Sequence, residues 1–392
     1  MKARTVFSLT AAASLSLSLL GLVGAGAQSQ FPLFAHPAFE RVWNRTDSLV
    51  AEGRVDRSWY WGPHPNTPGI LEKLTDAPNG TGQRLVQYFD KSRMELNNPA
   101  GNPNDPFYVA NGLLTVELIG GCIQTDTKSP CGEVRYPAEI PMSGDNGDQL
   151  APTYASFGNV ANSRRGDHPA DDMRGQMVTA TIDRNGTVGT DASKASVPLD
   201  KVVYYEATTK HNIPEAFWNF LNQVGQVREQ GQIVTGPVSS PWFYVTGLPI
   251  SDAYWAKATI RGVTTDVLIQ AFERRVLTYV PTNTAAFRVE MGNIGQHYYN
   301  WRYGFFGQPG VGTGTPFATP AGAITPTYAP TLTPGGGTPQ PSTSAVPSTT
   351  AVPSGTVSPS PTNTVGPTGG TPLPTNTATT VPSGFNTPTP SP

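Results

Sequence analysis

The pattern of apolar and polar positions divides this chain into three stretches. From Val6 to Val23 it is uncharged and rich in Leu and Ala, interrupted by serines and a threonine. From Phe31 to Tyr303 short apolar runs alternate with polar turns. From Gly304 to Pro392 there is no Asp, Glu, Lys or Arg, and 19 of the 39 prolines fall between Pro309 and Pro392. Only the middle stretch has the periodicity that builds a core.

Within it, Lys257–Ile260, Arg261-Gly262 and Val263–Phe272 predict a hairpin, and Val276–Val280 a further strand ended by Pro281. Phe287, Met291, Ile294, Tyr298 and Trp301 step by four and three, which predicts a closing helix. Phe217, Phe220, Leu221 and Val224 share one helical face, with Pro214 at the first turn and Asn212 before it as the cap. Met177–Asp183 and Thr187-Val188 flank Asn185-Gly186, a hairpin signal, and Val202–Tyr205 reads as another strand. The predicted class is α+β with mainly antiparallel sheet.

Residues 38–118 and 216–301 read as two copies of one helix–strands–helix unit. Ala38-Phe39, Trp43-Asn44 and Gly53-Arg54-Val55 map onto Ala216-Phe217, Leu221-Asn222 and Gly231-Gln232-Ile233 at an offset of 178. Trp59-Tyr60-Trp61 maps onto Trp242-Phe243-Tyr244, and Leu85–Lys91 onto Leu268–Arg274, at 183. Phe107, Val109, Gly112 and Leu114 then fall on Phe287, Val289, Gly292 and Ile294. Phe107, Asn111, Leu114 and Leu118 repeat the closing-helix stripe, broken by Asn111. An insert, 119–213, rich in Gly, Asp and Asn, lies between the copies. A separation of this length predicts paired units rather than a solenoid.

The ends of the chain predict its destination. Lys2 and Arg4 precede the apolar run, and Ala25-Gly26-Ala27 closes it with small residues, so 1–27 reads as a signal peptide. Cleavage would leave 28–303 as the folded domain, with no transmembrane segment. Residues 304–392 have too little to bury to offset the entropy of ordering, and read as a disordered stalk or spacer. A secreted location, with or without association with the cell wall, follows.

Charge adds little. Lys and Arg number 26 and Asp and Glu 28, a formal net of −2, and no basic run stands out, so nucleic-acid binding has no electrostatic basis. Cys122 and Cys131, nine positions apart in an exported chain, read as a disulfide clipping a local loop.

The block Gly247-Leu248-Pro249, Gln270-Ala271-Phe272, Leu277-Thr278-Tyr279-Val280-Pro281 and Val289–Ile294 resembles the LGFP repeats of bacterial surface proteins. Those carry a Gly-x-Pro turn, a Gln-x-Phe strand, a tyrosine–proline hairpin and a Val-x-Gly-x-Ile helix start. The match covers about 60 residues of the second copy. The first keeps Gln87-Tyr88-Phe89 but has Gly62-Pro63 for the turn, and Arg274-Arg275 and Lys91-Ser92 stand where the repeats have paired glycines. More broadly, 31–303 looks like an uncharacterised family of exported bacterial proteins with similar tails. The LGFP resemblance implies association with cell-wall polysaccharide.

Three sets of residues are candidates for chemistry. In strand alternation Trp59 and Trp61, and Trp242 and Tyr244, would share a face. They would form either a stacking platform for sugar rings or a pair of core strands. Asp167, His168, Asp171 and Asp172 could hold a cation, or belong to a solvated Gly/Pro loop, and their spacing fits no metal motif. No Gly-x-Ser-x-Gly, His-Glu-x-x-His or catalytic cysteine signature occurs, and no cofactor is called for. The expectation is a non-catalytic protein binding cell-wall or extracellular polysaccharide. A hydrolase assembled from scattered Asp, Glu and His, and a structural envelope protein, are the alternatives.

Overall fold

The computed structural model describes residues 31–129 and 131–304, together with the backbone of Ala323 and Ile324. The signal peptide assigned to 1–27, and all of the assigned tail except its first residue and that pair, lie outside the described residues.

The first helix, α1 (Pro37–Ala51), starts where His36 accepts the Ala38 N–H on its ring nitrogen, with Pro37 at the first helical position. It stops at Glu52, before Gly53 at φ 65°. An antiparallel meander follows: β1 (Gly69–Lys73), β2 (Gln83–Phe89), β3 (Ser92–Leu96) and β4 (Ala110–Asn111). Helix α2 (Leu114–Gly120) then ends at Gly121, φ 64°, where an added Cβ would lie 2.6 Å from the Arg135 carbonyl.

The insert opens with β5 (Cys122–Ile123) paired to β6 (Glu133–Val134), clipped by the Cys122–Cys131 disulfide. After α3 (Tyr154–Phe157) come two hairpins, β7 (Ala180–Ile182) with β8 (Val188–Thr190) and β9 (Val202–Glu206) with β10 (His211–Pro214).

The second half repeats the order of the first with one addition. Helix α4 (Glu215–Leu221) is followed by an extra hairpin, β11 (Val224–Glu229) and β12 (Gln232–Pro237), turned at Gln230-Gly231 with both residues at positive φ. Then come β13 (Tyr254–Ile260), β14 (Val263–Ala271), β15 (Val276–Tyr279), β16 (Val289–Met291) and α5 (Ile294–Tyr303). Sheet order is β16-β15-β14-β13-β7-β8 here, and β4-β3-β2-β1 in the first half, edged by β17 (Ala323–Ile324). The β7–β13 pair is parallel, and the other pairs among the described residues are antiparallel. The protein is therefore a mixed α+β fold, and no helix among the described residues is long and apolar enough to cross a membrane.

The two halves make matching bonds. Phe89 and Phe272, both fully buried, bridge to Pro65 and Pro249. The Gly112 N–H donates to the Arg93 carbonyl and the Gly292 N–H to that of Val276, 3.0 and 2.9 Å. Each closing helix also docks on the opposite sheet. Gly295 and Gln296 of α5 donate their N–H groups to the Asp90 carbonyl, and Val116 of α2 donates to that of Glu273. Lys91 reaches the Met291 carbonyl at 2.6 Å, and Arg274 reaches the Asn111 carbonyl. There is no room for a side chain at Gly295, where a Cβ would meet the Phe89 carbonyl at 2.0 Å.

Two apolar clusters cover the two faces of these sheets. One gathers Phe39, Phe217, Phe89, Phe272, Met94 and Leu277; the other Leu114, Leu118, Ile294, Val86 and Ile269. Between α5 and the first sheet the second cluster gives way to charge. Glu72, Glu95 and Glu117 interleave there with Arg84, Arg93 and Arg302, and Tyr88, Tyr298 and Tyr303 add hydroxyls. At the matching places the second sheet has Ala256, Val267, Ala271, Val276 and Thr278.

Three readings of the sequence need correction. Both closing helices begin later than the stripes predict, because Val289–Met291 and Ala110–Asn111 are strands that pair with their neighbours. Asn111 is thus not a break in a helix. Its amide donates to the Tyr244 carbonyl at 3.1 Å. Gly231-Gln232-Ile233 turns a hairpin that has no counterpart at Gly53-Arg54-Val55, because α1 runs twice as long as α4. Asn212 does not cap α4; Pro214 holds that place, and the Asn212 amide donates to the Asp171 carbonyl.

Candidate functional site

A run of aromatic rings begins on α4 and crosses to the turn after Pro241. Trp218 stacks on Tyr204 of β9, with centroids 4.1 Å apart and planes 8° from parallel. Trp242 stands edge-on to both rings, at 5.5 and 6.0 Å. Phe243 lies 5.5 Å beyond Trp242, and Phe107 continues the run toward Tyr244.

The turn is held from several directions. The Tyr244 N–H donates to the Pro241 carbonyl and that of Gly247 to Phe243, at 2.9 and 2.8 Å. The Tyr244 hydroxyl donates to the Val109 carbonyl at 2.9 Å, which fastens the turn to the first half. Burial pushes that phenol up to about 12, so it stays a neutral donor.

Tyr204, Trp242, Phe243, Phe107 and Tyr244 border a groove of about 490 Å³ where the first half, the insert and the second half meet, and Trp218 backs Tyr204 from outside it. Phe107, 53% exposed, forms one lip. Glu206, Glu273 and Arg274 supply the charge. The Glu206 carboxylate accepts from the Tyr204 hydroxyl and the Thr208 N–H, and Glu273 from the Leu248 N–H. Carboxylates fixed by one or two donors keep lone pairs free for a ligand's hydroxyls. Ring faces beside fixed acceptors suit a ligand with apolar CH faces and a hydroxyl rim.

The structure separates the four predicted aromatic residues. Trp242 and Tyr244 line the groove. Trp61 is buried in the core instead; its indole N–H donates to Thr46 Oγ1 at 3.0 Å, and Arg275 lies over its ring. Trp59 is half-buried beside Phe287 in a separate shallow hollow. Neither triplet is a strand. The buried Asp47 carboxylate accepts the N–H groups of Tyr60, Trp61 and Gly62, wrapping the chain around itself so that no strand partner can take them. Residues 242–244 turn back on their own carbonyls.

Among the described residues no group of three His, Cys, Asp or Glu side chains is placed to hold a metal, so Asp167, His168, Asp171 and Asp172 do not converge. Asp172 pairs with Arg174 at 2.6 Å, and Asp167 and Asp171 are exposed. The sequence reading missed Tyr204, Trp218, Phe107, Glu206 and Glu273. The three rings stood in segments assigned to packing, and the two acids carried no signal of their own.

No family model, no curated protein and no solved structure matches this chain.

Proposed function

We propose that this protein is a secreted, non-catalytic binder of cell-wall or extracellular polysaccharide. The carrying observation is the run of rings Trp218, Tyr204, Trp242, Phe243, Phe107 and Tyr244 beside the Glu206 and Glu273 carboxylates. Sugar rings stack their CH faces on such platforms and give their hydroxyls to the acids. The LGFP resemblance supports the same partner. In this reading 1–27 is removed on export and the uncharged 304–392 segment spaces the domain from a surface. Residues 38–118 and 216–301 are copies of one unit, which the matching bonds of Phe89 with Phe272 and Lys91 with Arg274 support.

The test is retention of the mature chain on purified cell-wall and polysaccharide fractions, beside Trp242→Ala and Glu206→Gln variants. Each variant should bind at least tenfold more weakly, about 1.4 kcal/mol. Equal retention of all three proteins would remove the groove from the reading, and release of reducing ends from any fraction would replace binding with hydrolysis.

A further inference from the structure

A second groove, of about 760 Å³, lies between the disulfide-clipped loop and α5. Its outer wall is the segment Glu133 to Pro141, and the opposite side carries His297 and Trp301. Tyr136 is 91% exposed and Val134 71%, a large aromatic and an aliphatic side chain standing in solvent.

The wall is nonetheless fixed. Val134 pairs with Cys122, whose sulfur is bonded to Cys131. The Arg135 N–H donates to the Gly121 carbonyl and that of Ala138 to Leu118. The Trp301 indole N–H donates to the Tyr136 carbonyl at 2.9 Å, which sets the ring against the base of the wall. His297 accepts or donates at Nδ1 with the Tyr154 hydroxyl, 3.0 Å away. Burial, reinforced by Lys91, lowers its pKa to about 4, so it is an uncharged hydrogen-bonding group at neutral pH.

Among the described residues, three acids, Glu133, Glu139 and Asp145, and one cation, Arg135, face this space. Arg135 is paired with Glu133 at 2.8 Å. The surplus of acids disfavours anionic polymers and offers acceptors to hydroxyls. A platform fixed before the ligand arrives also loses less entropy on binding.

We propose that this groove is a second binding site for a neutral, hydroxyl-rich sugar chain, with Tyr136 as its stacking platform. This deepens the polysaccharide-binding reading and rests on it: the protein becomes bivalent. Two sites that engage one polymer raise retention well beyond either site alone.

The experiment is calorimetric titration of the full mature chain with cellohexaose and with the N-acetylglucosamine hexamer. Wild type, Tyr136→Ala, Trp242→Ala and the double variant are compared. The expected result is two sites in wild type, one in each single variant and none in the double. Tyr136 is exposed, so its loss leaves the melting temperature unchanged and an altered stoichiometry reports binding. An unchanged stoichiometry in Tyr136→Ala, with loss in Trp242→Ala, overturns the second site and leaves the first. The reverse pattern overturns the first and keeps the second. No heat with either sugar overturns both, and heat with a hexalysine peptide instead assigns the acidic groove to basic peptides.

Discussion

Gln87 and Gln270 do the same work in the two sheets. The Gln87 amide donates to the carbonyls of Leu33 and Thr67, and that of Gln270 to the carbonyls of Asn212 and Ser251. Each glutamine thereby ties its central strand to the segment entering its half and to the segment after the proline turn. The next residue's N–H, on Tyr88 or Ala271, is in turn held by the hydroxyl of Thr67 or Ser251. The halves differ at the acceptor oxygen. Gln87 Oε1 takes the Ala35 N–H, whereas Gln270 Oε1 has no partner among the described residues. Gln270→Leu strands two buried carbonyls, whereas Gln87→Leu strands the buried Thr67 carbonyl, the part-buried Leu33 carbonyl and the buried Ala35 N–H. Urea unfolding should show losses of about 2–4 kcal/mol, the larger for Gln87. A loss at one position only would argue against equivalent roles.

The charge cluster under α5 makes a second prediction. Arg93 is fully buried, lies within 3.4 Å of the Glu72, Glu95 and Glu117 carboxylates, and stacks on Tyr298. Arg93→Val installs the residue found at the matching place, Val276, but leaves those acids short of a partner. The expected cost is about 3–5 kcal/mol by denaturant titration. Adding Glu95→Thr, after Thr278, should recover part of it, because the two side chains act as one unit.

How much of this was legible in the sequence depended on the kind of signal. The β13–β14 hairpin was, because Arg261-Gly262 sits between two apolar runs. The matching of Leu85–Lys91 with Leu268–Arg274 was visible in the chain, and Phe89 and Phe272 within it are both buried. The closing helices were misplaced because an apolar stripe at helical spacing also fits a short strand that feeds a helix, as Val289–Met291 does. The hairpin after α4 went unseen although Gln230-Gly231 marked its turn. Arg93 and Glu72 gave no warning at all. A charge in a strand or helix is assigned to water by default, and only the fold shows that four from strands and two from helices, Glu117 and Arg302, pair with one another.

The candidate site was legible in part for a different reason. Trp242 and Tyr244 were found because the triplet that holds them is dense in rings. Tyr204 and Phe107 lie 38 and 135 positions from Trp242, and they join it in one groove only through the junction of the halves and the insert. No local pattern encodes that meeting.

Acid should destabilise the protein in two separate windows. His297 has its pKa lowered from 6.5 to about 4 by burial, so the folded state prefers the neutral ring. Stability is therefore full above pH 6.5 and declines as pH falls toward 4. The ring is not wholly shut off from solvent, and screening trims the loss to about 1–3 kcal/mol. Burial raises Glu72, but Arg93, Arg302 and Arg84 outweigh it and hold the carboxyl at about 2, so its contribution is lost below pH 4.5. The difference in unfolding free energy between wild type and His297→Gln should change between pH 7 and 4.5. A constant difference across that range would remove His297 as the cause.

The last prediction concerns the disulfide, which has both a stability role and a positional one. Cys122 and Cys131 close a loop of nine positions, and the chain-entropy cost of opening it is about 2–3 kcal/mol. Because Cys122 sits in β5 opposite Val134, the same bond limits how far the Tyr136 wall can swing from Trp301. A Cys122→Ala/Cys131→Ala variant should therefore melt several degrees lower and also lose the binding event that depends on Tyr136, while the event that depends on Trp242 persists. The distant groove acts as the internal control. Its ring run shares no residue with the clipped loop, so a general loosening of the fold would weaken both events, and a purely local role for the disulfide would weaken one. Calorimetry of the variant beside Tyr136→Ala separates these outcomes: matching stoichiometries place the disulfide in the wall's support, and two retained sites show that the wall stands without it.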